Sequence, residues 1–237
     1  MQLTKDIWTQ KDAIIFEKYL ESLKLEQDKI NWTINIVKSN KPVYAIKSNT
    51  LKDIAKQIYK GNYLSFLDLQ IFSSHESTII YGIILSKLKD FTLIKKYLDI
   101  YSLNCDSWAQ CDTLSFNIKN LESELFELGV SYTKSKLTFK RRIGIIIFFK
   151  FISSNYIDNV FNIISSMKYE SEYYVNMAIA WLICESFIKQ REKTLALLQS
   201  NKLNAFTKNK AISKCKDSYR VSNKDKTLLN NLKQNSN

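Results

Sequence analysis

The sequence predicts an all-α protein, a curved solenoid of antiparallel helix pairs. Three observations carry this expectation. Only 4 glycines and 1 proline punctuate 237 residues, so few positions favour positive φ or break a helix. Apolar residues recur at three- and four-residue spacing almost everywhere, without the alternation that marks strands. Hydrophobic residues make up 45% of the chain, ample for a sizeable core and contrary to a disordered chain. About a dozen helices of ~10–18 residues with short connections bury their apolar faces by stacking as pairs, and such arrays curve. The linkers show no clean boundary, so residues 1–237 are expected to form a single domain, with 230–237 a frayed polar tail.

Taken in order, the first helix is expected over Asp6 to Leu25, with Ile14, Ile15, Tyr19, Leu20 and Leu23 facing inward. A second holds Ile30, Ile34 and Val37 and ends near Lys41, because Pro42 disfavours helix in the residue before it. Asn49 or Ser48 is placed to cap TLKDIAKQIY by accepting its orphan amide hydrogens. Helices follow at FLDLQIF, STIIYGIILSKL and FTLIKKYLDIY, and Ser107 or Asp106 is placed to cap one opening at Trp108. Later helices centre on FKRRIGIIIFFKFI, YIDNVFNIISSM and YYVNMAIAWLICESFIK, then on KTLALLQS, TKNKAISKCKDSY and NKDKTLLNNLK. Ser222 and Asp225 sit at capping-box spacing before the last. The longest apolar run, Ile143 to Ile152, is interrupted by Lys150 and too short to span a bilayer, so it reads as a buried helix.

Charge and motif content narrow the function classes. The chain carries 35 Lys+Arg against 23 Asp+Glu, a formal charge of +12. Such an excess suits a polyanion, whose condensed counterions are released on binding, or lysine filling solvated helix faces. Cys105, Cys111, Cys184 and Cys215 form no C-x-x-C pair, and the one histidine, His75, lies apart from them. No metal is therefore expected, and the thiols read as buried and free in a reducing compartment. The glycines never approach a phosphate-loop spacing, so no cofactor is expected either. The opening MQLTKDIWTQKD has no apolar core region, so the protein is expected to be soluble and cytoplasmic, without membrane association.

Four segments are candidates for chemistry. In CDSWAQCDT, residues 105–113, Trp108 and Asp112 are four apart and share a helix face. Lys140, Arg141 and Arg142 open the long apolar run. YYVNMAIAW, residues 173–181, ends at Trp181. A basic helix holds Lys208, Lys210, Lys214, Lys216 and Arg220. Each has a plainer reading: tryptophans packed between helices, Asp112 capping a helix or pairing with Arg142, and lysines on a solvated face.

At these segments the chain resembles the DNA alkylation repair family of HEAT-like glycosylases, the AlkD-like group. The family's W-x-x-x-D helix appears as WAQCD, its arginine opening a later apolar helix as RRIGII, and its Y-V-x-x-A-x-x-W segment as YYVNMAIAW. AIKSNTLKDIAKQI and LNAFTKNKAISKCKDSYRVS are also similar, so the likeness runs from about Val43 to Leu232 with its motifs in order. It implies a HEAT-like repeat fold, Asp112 as the catalytic carboxylate, and Trp108 and Trp181 as indoles facing the damaged nucleotide's sugar. It implies Arg142, rather than Arg141, as the phosphate contact, with Arg141, Lys140, Lys208, Lys210, Lys214 and Arg220 as further DNA-binding residues. The partner would be double-stranded DNA with alkylated bases, bound by a monomer in the bacterial cytosol and nucleoid. The chain departs from the family in QDKINWTINIVKSN, where a minor-groove probe helix is expected but no tyrosine occurs and Trp32 reads as packing. Cys184 stands where active relatives often show arginine.

Two readings with DNA follow, and a third without it. One is a monofunctional glycosylase releasing N3- or N7-alkylated purines, with Asp112 stabilising oxocarbenium character on the sugar. The other is a catalytically inactive member that binds damaged or branched DNA. A protein–protein scaffold is the third, since solenoids commonly serve that role.

Overall fold

A computed structural model describes residues 1–117 and 119–233. These contain fourteen α-helices, one 3-10 turn and no strand, as expected of an all-α chain. The helices gather into two compact units, 1–121 and 122–237. Residues 234–237 of the expected frayed tail lie outside the described residues.

In the first unit, α1 (Gln10–Ser22) begins where Thr9 and Asp12 form a reciprocal capping box, four residues later than the sequence suggests. Its inward face differs in part. Leu20 is buried as expected and Phe16 is buried with it, whereas Ile14 is 62% and Ile15 41% exposed. The reason lies upstream: Trp8, outside the helix, packs edge-on against Phe16 and Phe66 at 5.8 and 5.0 Å, which sets the helix rotation. α2 (Gln27–Val37) buries Ile30 and Val37 but exposes Ile34, and stops at Lys38 in the left-handed region, φ 52°. α3 (Ser48–Lys60) starts two residues before the expected Thr50, so Ser48 and Asn49 lie in its first turn and neither caps it; Lys47 occupies the cap position without a side-chain bond. α4 (Tyr63–Asp68), α5 (His75–Leu85), α6 (Phe91–Asn104) and the short α7 (Trp108–Asp112) complete the unit. α5 is its central helix, packed on α1, α3, α4, α6 and α7.

The second unit opens with α8 (Glu122–Thr133), a helix absent from the sequence expectations. α9 (Thr138–Phe148) takes most of the long apolar run, which ends in a 3-10 turn, Phe149–Phe151. α10 (Ile157–Ser166) precedes α11 (Tyr173–Lys189), which is buried on most of its circumference and packs on α9, α12 (Arg191–Gln199) and α13 (Ala205–Asp217). α14 (Asn223–Asn230) is capped by Ser222, whose hydroxyl oxygen accepts the Asp225 N–H.

α8 and α9 approach closely through two glycines. A Cβ added to Gly144 would lie 2.7 Å from the Gly129 carbonyl oxygen and 3.0 Å from the Thr133 amide nitrogen. Those are backbone atoms, so the helices themselves must separate. Gly144→Ala is expected to destabilise by about 1–3 kcal/mol through overpacking, against a helix-propensity gain of about 1 kcal/mol. Urea unfolding checks it: a midpoint at or above that of the wild type contradicts the close crossing.

Candidate functional site

The site in the first unit is built on α7. Ser107 caps this helix and donates its hydroxyl to the Val37 carbonyl at 2.7 Å. The Trp108 indole N–H donates to the Ile36 carbonyl at 3.0 Å. Both acceptors are last-turn carbonyls of α2, which have no partner within their own helix. Satisfying them ties α7 to α2 and holds the half-buried indole in one orientation. Asp112, also half-buried, follows on the same face.

Trp108 and Asp112 line one surface pocket of about 530 Å³, walled by Val37, Ala45, Ile46, Leu51 and Ile79 with Lys52, His75 and Glu76 at its sides. The sequence spacing thus brings its first two site residues together.

A buried polar network supports the pocket. Gln110 donates through Nε2 to His75 Nδ1 at 3.2 Å and to Asp106 Oδ1 at 2.9 Å. Asp106 in turn accepts from the Ser39 hydroxyl and the Asn40 amide. Lys41 Nζ donates to Thr78 Oγ1 and to the Asn104 carbonyl. Burial lowers the Lys41 ammonium's affinity for its proton, and burial holds His75 down to about 4. His75 is therefore neutral near pH 7. Glu76 accepts the Tyr44 and Ile46 amides through Oε1 at 3.0 and 3.4 Å, pinning a loop in which Ala45 has φ 58°. Its Oε2 is buried without a hydrogen-bond partner, and burial pushes the carboxyl upward. Neither Glu76 nor His75 is read from the sequence as part of a site: the helix expected there opens at Ser77, two residues after its actual start, and His75 figures only as the one possible imidazole ligand.

The remaining candidates lie in the second unit. Arg142 is 5% exposed and donates Nη1 to the Tyr174 carbonyl at 2.5 Å, linking α9 to the start of α11. Arg141 is held bidentately by Glu170, at 2.7 and 3.1 Å, and also donates to the Ser135 and Lys136 carbonyls. Lys140 Nζ sits 4.3 Å from the Tyr132 ring. Trp181 is half-buried on α11, its ring 4.4 Å from that of Phe149. On α13, Lys210 is exposed with Nζ 5.5 Å from the Phe206 ring, and Lys214 is half-buried in the last turn. Lys208 is only 5% exposed, and burial lowers its proton affinity. Arg220, beyond α13, makes a bidentate pair with Glu185.

Trp32 departs from its expected packing role: it is 67% exposed on α2. All four cysteines are free and buried, as expected. Among the described residues no cluster of His, Cys, Asp or Glu has the makings of a metal site, and no helix is long and apolar enough to cross a membrane.

Comparison with known protein families decides which lineage built this site. The profile of one family, described as DNA alkylation repair enzyme, matches residues 16–215. The chain belongs to the DNA alkylation repair enzyme family. No curated protein matches the chain. The span shared with the DNA alkylation repair family takes in Trp108, Asp112, Arg142 and Trp181, together with Lys208, Lys210 and Lys214; Arg220 falls outside it. Membership makes this protein a DNA repair enzyme by family, with DNA as its substrate.

Proposed function

We propose that the protein is a monofunctional DNA glycosylase that hydrolyses the N-glycosidic bond of cationic N3- or N7-alkylated purines in double-stranded DNA. The observation that carries this reading is the Asp112 carboxylate and the fixed Trp108 indole lining one pocket, in a chain of the DNA alkylation repair family. An alkylated purine already carries positive charge, so the electrons of the breaking bond neutralise the departing base and no proton need reach it. Positive charge develops instead on the sugar. A fixed carboxylate near C1′ stabilises that charge and orients the attacking water, and an indole face adds cation–π stabilisation. One carboxylate therefore suffices, where ordinary glycoside hydrolysis uses two.

In this reading Trp181 serves as a second indole for the sugar and Arg142 as a phosphate contact, with Lys140, Lys210 and Lys214 adding positive charge for the backbone, since Arg141 and Arg220 are paired with Glu170 and Glu185 and Lys208 is buried. The exposed Trp32 gives α2 an aromatic for groove contact. The protein acts as a monomer in the cytosol and needs no cofactor.

The test is release of free base from duplex DNA containing N7-methylguanine, with unmodified duplex as control. Release from the methylated duplex alone is expected. Salt-sensitive binding of both duplexes without release of any base overturns the enzymatic reading in favour of an inactive DNA binder.

A further inference from the structure

The second unit carries an aromatic edge that base release does not use. Three helices begin side by side there, and their opening residues touch: Phe139 of α9 meets Tyr174 of α11 at 5.7 Å, and Tyr173 of α11 meets Phe206 of α13 at 5.9 Å. Two of these rings are open to solvent, Tyr173 at 53% and Phe206 at 39%, and Tyr169 in the preceding loop is 91% exposed. Exposed rings of this number on one edge call for an occupant.

The edge is rigid. Asn176 donates Nδ2 to the Glu170 carbonyl and accepts through Oδ1 from Asn204 Nδ2 and the Thr207 hydroxyl, so one buried amide ties the start of α11 to the start of α13. Exposed lysines accompany the edge: Lys210 Nζ lies 5.5 Å from the Phe206 ring, Lys168 immediately precedes Tyr169 in a loop tied to Asn204, and Lys136 lies in the loop before α9. The Glu170 carboxylate in the same loop is neutralised by Arg141, which leaves Glu172 as an acidic neighbour at the start of α11.

Rigid, solvent-facing rings interleaved with lysines match one chemistry: unpaired nucleotides, whose bases stack on the rings while the amines meet phosphates. Bases inside a duplex are already stacked on one another and cannot offer their faces. An apolar protein partner would leave the lysines facing nothing of opposite sign. We propose that this edge binds single-stranded DNA through Tyr169, Tyr173 and Phe206. The proposal does not rest on base release, since these rings and Asp112 are changed by different substitutions.

The experiment measures fluorescence anisotropy of a labelled oligothymidylate and of a labelled duplex of equal length, with far-UV circular dichroism on each variant. Tyr173→Ala with Phe206→Ala is expected to weaken binding of the single strand about tenfold or more and to change duplex affinity by less than about twofold. Tyr173→Phe with Phe206→Tyr keeps both rings and is expected to retain the wild-type affinity. Equal weakening on both DNAs, no weakening, or no single-strand binding by the wild type overturns the proposal. So does tighter binding of oligouridylate, which would make the ligand RNA. Should the double alanine variant fail to fold, photocrosslinking the wild type to a strand bearing 5-iododeoxyuridine decides instead. Crosslinks at Tyr169, Tyr173 or Phe206 support the edge, and crosslinks confined elsewhere overturn it.

Discussion

Asp112→Asn is expected to lower the single-turnover rate of N7-methylguanine release by about 10²–10³-fold, the usual loss when one preorganised charge stabiliser is removed from a transition state. The substitution keeps the shape of a side chain that lines the Trp108 pocket and removes only its negative charge. That charge matters most when the sugar becomes cationic, and little in the ground state. DNA affinity should therefore hold or rise slightly, because a repulsion towards phosphates is lost. The loss belongs in the rate and not in binding, which separates it from misfolding or lost DNA contact. Full release by the Asn variant, with the wild type active, would assign the chemistry to another group.

The fold was legible because this chain is locally consistent. Trp108 and Asp112 show it best: their spacing of four predicts one face, and both line one pocket although α7 has only five residues. Ser107 and Ser222 were legible as caps for the same local reason, a short oxygen placed before an apolar run. Where a distant group decides, local pattern fails. Ile14 and Ile15 are better hydrophobes than their neighbours, yet Trp8 and Phe66 select Phe16 for the core. Trp32 has the composition of a packing residue and sits in water. α8 goes unread although two glutamates in its first turn mark a helix start.

Lys208 is a different case, since its position was readable. It stands at three-, four- and seven-residue spacing from Ala211, Ile212 and Cys215, all fully buried. Grouping it with the basic face of α13 follows charge and ignores that stripe. The supporting network of the pocket was not readable in this way. His75, Gln110 and Asp106 come from two helices and the loop before one of them, and only packing brings them into a hydrogen-bonded chain. A lone histidine in a sequence says nothing about which side of its proton it will occupy.

That histidine sets the second large expectation, loss of stability in mild acid. His75 is the only histidine, 3% exposed, with Nδ1 accepting from Gln110. Burial holds its pKa at about 4 in the folded protein, opposed by Asp106 and reinforced by Lys41. The unfolded chain protonates first as pH falls, near the ordinary value of about 6.5. The neutral imidazole's contribution is therefore whole above that value, declines as pH drops towards 4, and then levels off at a loss of roughly 3 kcal/mol. Glu76 acts with the opposite sign, because a carboxyl pushed upward by burial loses stability as pH rises through its folded value. The comparison that isolates His75 is the pH dependence of urea midpoints for the wild type and His75→Gln. The wild type should lose more than the variant between about pH 6.5 and 4. The imidazole proton resonances, belonging to a single residue, should titrate near 4 in the folded protein. A midpoint near the ordinary histidine value, or parallel midpoint curves for the two proteins, would show that the network carries the protonated ring and that Gln110 is not its donor.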